Sequence, residues 1–371
     1  MPDMESNRRP TRDYRAFSSG PWPLWDVIYA RRSSRKYVPM EVGADLAGEI
    51  ERTAAAACEL RGVPADFLMV VTDQAAVDRV RTGAQKGAVG KINMWLTRAP
   101  LVAFLVMTVP DEDINADRPS VMPRMTMAVE DCILWLTERD LGTCWMAGIN
   151  QGEVKKALGI GHGTSVPVVI SIGRSQMPGP LGTAGVLARV QSRRRKTLDR
   201  IAVVEEVGTS YEVGTIPLER FEAVDEGVAG LMDLLARGGR GECGASPELQ
   251  VEACLEAARF APSGGNAQAW QFVVVRDPAR LERLAGLCGR ATDTPAGFAL
   301  LAAGYPKTFS TGLLDKPFWM LDIPIALSHL SLTAVSMGCR VSVQTDGFDE
   351  GGVNGMAGLG KSRTVGIVWV G

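Results

Sequence analysis

Short, largely apolar runs alternate with longer amphipathic stretches along this chain. The longest run, 99–109, suits a buried strand, and shorter ones at 67–71, 166–172, 272–275 and 366–370 read the same way. Helical spacing separates them. Segment 43–60 and its later counterpart 247–260 read as helices, as do the long stretches 121–141 and 321–337. The last of these carries Ile325, Leu327, Leu330, Leu332 and Val335. Each half thus has the same order: an opening helix, a second helix, a strand, a short helix, a strand, a long helix and a final strand. The predicted fold class is α+β, with each half a mixed, mostly antiparallel sheet flanked by helices.

The halves also match residue by residue, at an offset of roughly 200 positions. Leu24-Trp25-Asp26-Val27-Ile28 aligns with Leu231-Met232-Asp233-Leu234-Leu235, and 67–73 falls near 272–277. Leu141-Gly142-Thr143 aligns with Met337-Gly338-Cys339, and 168–173 with 366–371. Four landmarks in one order indicate a tandem repeat. The expected organisation is a polar arm at 1–21, a first repeat at 22–205 and a second at 222–371. Residues 175–205 close the first repeat as an extended connector containing Pro178, Gly179, Pro180 and Gly182. Residues 293–315 look inserted in the second repeat and read as a lid or an ordinary loop.

Composition narrows the function classes. The 371 residues are 46% hydrophobic and 22% charged, as in ordinary globular proteins, with a net charge of −2. That balance argues against nucleic acid as a partner. No uninterrupted apolar run reaches the ~18 residues of a membrane span. The Arg-rich start lacks the apolar core of a secretory leader. Seven scattered Cys without a Cys-x-x-Cys pair point to a reducing, cytoplasmic setting and away from a bound metal.

Two stretches carry candidate chemistry. Ala261-Pro262-Ser263-Gly264-Gly265-Asn266 ends a helix and leads through Gln268 and Trp270 into a strand. Its low side-chain bulk would let a flat ligand lie on the backbone, although turns also use these residues. Arg31-Arg32-Ser33-Ser34-Arg35 follows the first helix. Its guanidinium forks and hydroxyls suit a phosphate, and they also suit a helix C-terminus. A third run, Arg193-Arg194-Arg195-Lys196, follows the connector.

Together these stretches resemble the nitroreductase family of FMN-dependent oxidoreductases. By that resemblance Arg31, Ser33 and Arg35, with Arg32 beside them, hold the phosphate and ribityl chain. Arg195, Lys196 and then Arg193 reach the phosphate. In Leu141–Gly148, the backbone of Ala147 and Gly148 lies near flavin N5, with Trp145 and Met146 against the ring. Asn93 or Lys91 is a further contact on the pyrimidine edge. Pro262, Ser263, Gly264 and Asn266 come from the other repeat, as from the second subunit of a family dimer. The second copy of each motif is degraded: Cys58–Gly62 stands opposite the loop, and Arg237–Gly241 opposite the arginines. The resemblance therefore implies one FMN per chain in a single-chain pseudo-dimer, monomeric as a whole. It also implies NAD(P)H as donor and a small-molecule acceptor, aromatic or conjugated. Flavin chemistry of this kind requires no catalytic side chain. A flavin-binding protein without turnover and a flavin-free structural relative are the alternatives.

Other signals are set aside. Gly355–Ser362 matches the phosphate-loop pattern but precedes a terminal strand, whereas a working loop follows a strand and opens a helix. His329 sits on an apolar helical face, and Cys144 reads as a buried structural thiol.

Overall fold

The computed structural model describes residues 24–40, 43–176, 195–212, 239, 243–290, 296–306 and 319–371. The 1–21 arm, Arg193, most of the connector, most of the 293–315 insertion and the opening helix of the second repeat lie outside the described residues.

The chain forms two compact units, one of residues 30–186 and 310–316, the other of 1–29, 187–309 and 317–371. They are called here the N-terminal and C-terminal units. The first helix, α1 (Leu24–Ala30), counts almost wholly with the C-terminal unit, although it precedes the N-terminal one. The stretch 195–204, in the first repeat by sequence, also belongs to the C-terminal unit. Compactness therefore divides the chain differently from the repeat.

The N-terminal unit holds strands β1 (Tyr37–Val38), β2 (Leu68–Val71), β3 (Ala103–Pro110), β4 (Leu141–Met146) and β5 (Thr164–Ser175). Its longer helices are α2 (Ala44–Leu60), α3 (Gln74–Gln85), α4 (Val121–Glu138) and α5 (Gln151–Leu158). The sheet runs β2-β3-β5-β4, with β1 added antiparallel to β5. The core includes Phe104, Val106 and Val169 from the sheet and Val77, Val80 and Val154 from α3 and α5.

The C-terminal unit holds β6 (Ala202–Val204), β7 (Trp270–Val275), β8 (Phe298–Gly304), β9 (Val341–Gln344) and β10 (Arg363–Val370). Its further helices are α6 (Pro247–Arg259), α7 (Pro278–Leu287), α8 (Trp319–Ser336) and α9 (Glu350–Met356). The sheet runs β6-β7-β8-β10-β9. β6 pairs parallel to β7, and the other four are antiparallel. Helix α8 is long and apolar enough to cross a membrane by length and composition, yet every residue of it is buried in the fold. It is a core helix of this unit.

The duplication is written into the register. β2-β3-β5-β4 and β7-β8-β10-β9 have the same order. Phe104 pairs with Ser171 and Ala299 with Trp369, while Val71 pairs with Phe104 and Val275 with Ala299. Both sheets slip register at the same step, between Met107 and Val109 in one and between Thr364 and Gly366 in the other. Caps repeat as well. Asp73 and Asp277 each accept a backbone N–H at the start of the helix after their strand, at Ala76 and Arg280. Asn150 and Asp349 do so before α5 and α9.

One sequence landmark is displaced. Thr143 lies opposite Ile172 and Val341 opposite Val370, so the match of Leu141-Gly142-Thr143 to Met337-Gly338-Cys339 is two residues out. Gly338 (φ 86) occupies the place of Asp140 (φ 58), both in the left-handed turn that stops the long helix. A shared glycine had masked a shared backbone conformation.

Candidate functional site

In the N-terminal unit the arginine segment is fastened to strand β4. Ser33 forms an isolated parallel bridge with Thr143, and the Ser34 amide donates to the Thr143 carbonyl at 2.7 Å. Ser34 Oγ donates to Ser175 Oγ at 3.0 Å, and Tyr37 Oη donates to the Ser34 carbonyl at 2.7 Å. Gly142 makes this approach possible, because a Cβ there would stand 2.5 Å from Ser34 Oγ. Arg31 is thereby held in the interior, 5% exposed, with Nε 4.0 Å from Glu130 Oε1. Burial lowers its pKa, and the charge of Glu130 opposes the shift. Arg31 Nε has no hydrogen-bond acceptor among the described residues. Arg32 donates to the Arg31 carbonyl at 2.7 Å, and Arg35 is exposed.

Glu130, on α4 and fully buried, also accepts from Trp145 Nε1 at 2.9 Å. One carboxylate thus serves the arginine and the tryptophan. Past β4 the chain enters Ala147-Gly148. Asn93, 4% exposed, donates Nδ2 to the Gly148 carbonyl at 2.7 Å and sets that backbone. Lys91 is exposed. Met146 is buried, and so is Cys144, whose thiol is pushed up by burial.

In the C-terminal unit the loop after α6 is tightly organised. Ser263 Oγ accepts from the Gln268 amide at 2.9 Å, and the Asn266 amide donates to the Ser263 carbonyl at 2.9 Å. Gly265, Asn266 and Gln268 have φ of 57, 58 and 49, so three of four consecutive residues are left-handed. Such strain persists only where surroundings enforce it. Arg195 supplies part of that enforcement, donating to Asn266 Oδ1 at 2.8 Å and to the Phe260 carbonyl at 3.0 Å. Lys196 Nζ donates to the Gln268 carbonyl at 2.8 Å. From below, the Gly264 amide donates to Asp322 Oδ1 at 2.9 Å. Asp322 is on α8, and burial pushes its carboxyl up to about 7, against the pull of the Gly264 N–H.

The structure groups Arg31, Arg32, Ser33, Arg35, Trp145, Met146, Ala147 and Gly148 in one unit. It groups Arg195, Lys196, Pro262, Ser263, Gly264 and Asn266 in the other. Arg195 and Lys196 join the loop's own network. Sequence reasoning did not single out Glu130 or Asp322. Their signal was an acidic residue inside an apolar helix, Ala128-Val129-Glu130 and Met320-Leu321-Asp322.

An anionic cofactor fits the arginine segment of the N-terminal unit. A buried guanidinium lacking an acceptor on Nε is suited to a phosphate, which would provide one. The small residues at 147–148 leave backbone open to a flat ring.

Fold and residues together define a two-repeat α+β protein with an arginine segment equipped for an anion. The model of the Nitroreductase family matches residues 28–174 and 247–303, more than half of the chain and part of each repeat. The chain belongs to the nitroreductase family. A protein of Archaeoglobus fulgidus, described as a proposed NADH dehydrogenase/NAD(P)H nitroreductase, is 33% identical over 91 residues. That segment is 24% of this chain and 49% of the relative, so the chain spans about half the length of the curated relative it matches. An FMN-dependent nitroreductase from Clostridium difficile has a similar fold over 44% of this chain and 95% of its own, at 22% identity and a TM-score of 0.33. A proposed nitroreductase of Thermotoga maritima aligns over 98% of this chain and 99% of its own, at 13% identity and a TM-score of 0.43.

Proposed function

We propose that this chain is an FMN-dependent oxidoreductase that takes electrons from NAD(P)H and reduces a small aromatic or conjugated acceptor. Family membership supports the reading, and the observation that carries it is Arg31. A buried arginine whose nearest carboxylate oxygen is 4.0 Å away, with no acceptor on Nε, is costly unless an anion joins it. FMN, when bound, supplies a two-electron carrier. Arg31, Arg32, Ser33 and Arg35 hold its phosphate and ribityl chain, and Glu130 keeps Arg31 and Trp145 in place. Trp145 and Met146 exclude water from the ring, while Ala147 and Gly148 present backbone to it. In the C-terminal unit, Pro262, Ser263, Gly264 and Asn266, with Arg195, Lys196 and Arg193, are the residues suited to contact a cofactor. No side chain is assigned an acid or base role. The chain works as a monomer in a reducing, cytoplasmic setting.

The test is a visible spectrum of purified protein, followed by NADH or NADPH without oxygen. The expected result is a flavin spectrum that bleaches on addition of one of the donors. The double substitutions Arg31→Ala/Arg35→Ala and Ser263→Ala/Asn266→Ala should each weaken FMN binding by about 10- to 100-fold per lost charge-assisted bond. Full retention of flavin by both pairs rejects the site. A coloured protein that does not bleach would be a flavin-binding protein without turnover, and one that takes up no FMN would be a flavin-free relative.

A further inference from the structure

The loop that follows α6 turns on a residue outside the candidate cofactor ligands. Gln268 is 4% exposed and has φ 49, a left-handed backbone that glutamine seldom adopts. Every hydrogen-bonding group it carries is engaged. Its amide donates to Ser263 Oγ at 2.9 Å, and its carbonyl accepts from Lys196 Nζ at 2.8 Å. The side-chain Oε1 accepts from the Lys196 amide at 2.8 Å. The side-chain Nε2 donates to the Asn266 carbonyl at 3.3 Å and to Asn266 Oδ1 at 3.4 Å.

These bonds join two segments 72 positions apart. Lys196 stands just before the short helix Leu198–Ile201, which runs straight into β6, and β6 pairs with β7. One side chain thus ties the loop to a strand already fixed in the sheet. The bonds also have a direction. Ser263 Oγ accepts from the Gln268 amide, so its own proton is left to donate elsewhere. Asn266 Oδ1 is drawn toward Gln268 Nε2 and Arg195 Nη1, which sets the amide plane with Nδ2 on the far side. A buried amide whose donor and acceptor are both matched resists rotation, because turning it would leave polar groups unpaired.

We propose that Gln268 is a positioning residue for the cofactor: it aims the Ser263 hydroxyl and the Asn266 amide, and touches no cofactor atom itself. The inference rests on the flavin reading above. A loop ordered in advance binds without the cost of ordering it on contact, so the Gln268 side chain contributes to affinity through its neighbours. Acting through the loop and not at the phosphate, it matters equally to FMN and to riboflavin, which has no phosphate. A phosphate ligand, by contrast, matters to FMN alone.

FMN and riboflavin binding to the full chain are read by quenching of flavin fluorescence, and amide hydrogen exchange is followed in the flavin-free protein. Gln268→Gly removes the side chain and keeps the turn, since glycine takes a left-handed backbone without strain. It should weaken both flavins by about 10-fold. It should also speed exchange at the Lys196 amide, while the Gly264 amide, held by Asp322, stays protected. Gln268→Glu keeps an acceptor for the Lys196 amide and loses the donor to Asn266. Lys196 protection should therefore return, with flavin binding recovered only in part. In an Asn266→Ala chain the further cost of Gln268→Gly should shrink below about twofold. Undiminished flavin affinity in Gln268→Gly, a loss confined to FMN, or full additivity with Asn266→Ala would overturn the proposal. A native chain that takes up neither flavin overturns the flavin reading and the cofactor role with it, while the exchange pattern still reports the hold of Gln268 on the loop.

Discussion

Among the described residues, Asp322 carries a clear pH signature. Its carboxyl titrates near 7 in the folded chain, against 3.8 unperturbed, because burial disfavours its charge. A carboxyl with a raised folded pKa binds more protons folded than unfolded between about pH 4 and 7, so its contribution falls as pH rises through that window. Asp322→Asn keeps an oxygen for the Gly264 N–H and removes the charge. In urea titrations, the variant's stability relative to the native chain should improve by up to about 4 kcal/mol from pH 4 to pH 8. Parallel curves would mean that the loop is not resting on a titrating acid. Arg31 shows the complementary case. The sequence marks the arginine as a phosphate candidate by residue type, but only the fold shows that Arg31 is buried beside Glu130 while Arg35 is exposed.

Helix α4 shows how a single upstream side chain can start an element. Asp113 Oδ1 accepts from the Ser120 and Val121 amides at 2.8 and 2.9 Å, and Oδ2 from the Met122 amide at 2.9 Å. These are donors that a helix N-terminus leaves open. Asp113→Ala should lower stability by about 2 kcal/mol and Asp113→Asn by less, read as shifts of the urea midpoint. A midpoint unmoved by the alanine would show that water serves those amides equally well. Element order was legible beforehand: 43–60, 121–141, 247–260 and 321–337 are helices here, as Ala44–Leu60, Val121–Glu138, Pro247–Arg259 and Trp319–Ser336. The Ser33–Thr143 bridge was not legible, because one isolated pair leaves no periodic trace. The phosphate-loop match at 355–362 joins helix α9 to strand β10, the reverse of the order a phosphate site needs.

For the molecule as a whole, duplication without symmetry of side chains is the main result. The two sheets share order, register and even the step of their irregularity, while the motif residues are kept in only one copy each. One-site chemistry is the expected consequence. FMN titration should saturate at one equivalent per chain, followed by quenching of flavin fluorescence. A second equivalent bound with similar affinity would show that the degraded copies still work.

Much of this was set by the amino-acid order alone. Apolar periodicity specifies strands and helices locally, and a repeated pattern repeats the fold, so class, family and candidate loops could be read directly. Partnership could not. Arg195, read as a phosphate ligand, also donates to Asn266 and to the Phe260 carbonyl. Glu130 met Arg31, and Asp322 met Gly264, through contacts between segments far apart in the chain. Such contacts depend on how elements pack in three dimensions, and burial and hydrogen bonding then decide the charge and task of each group.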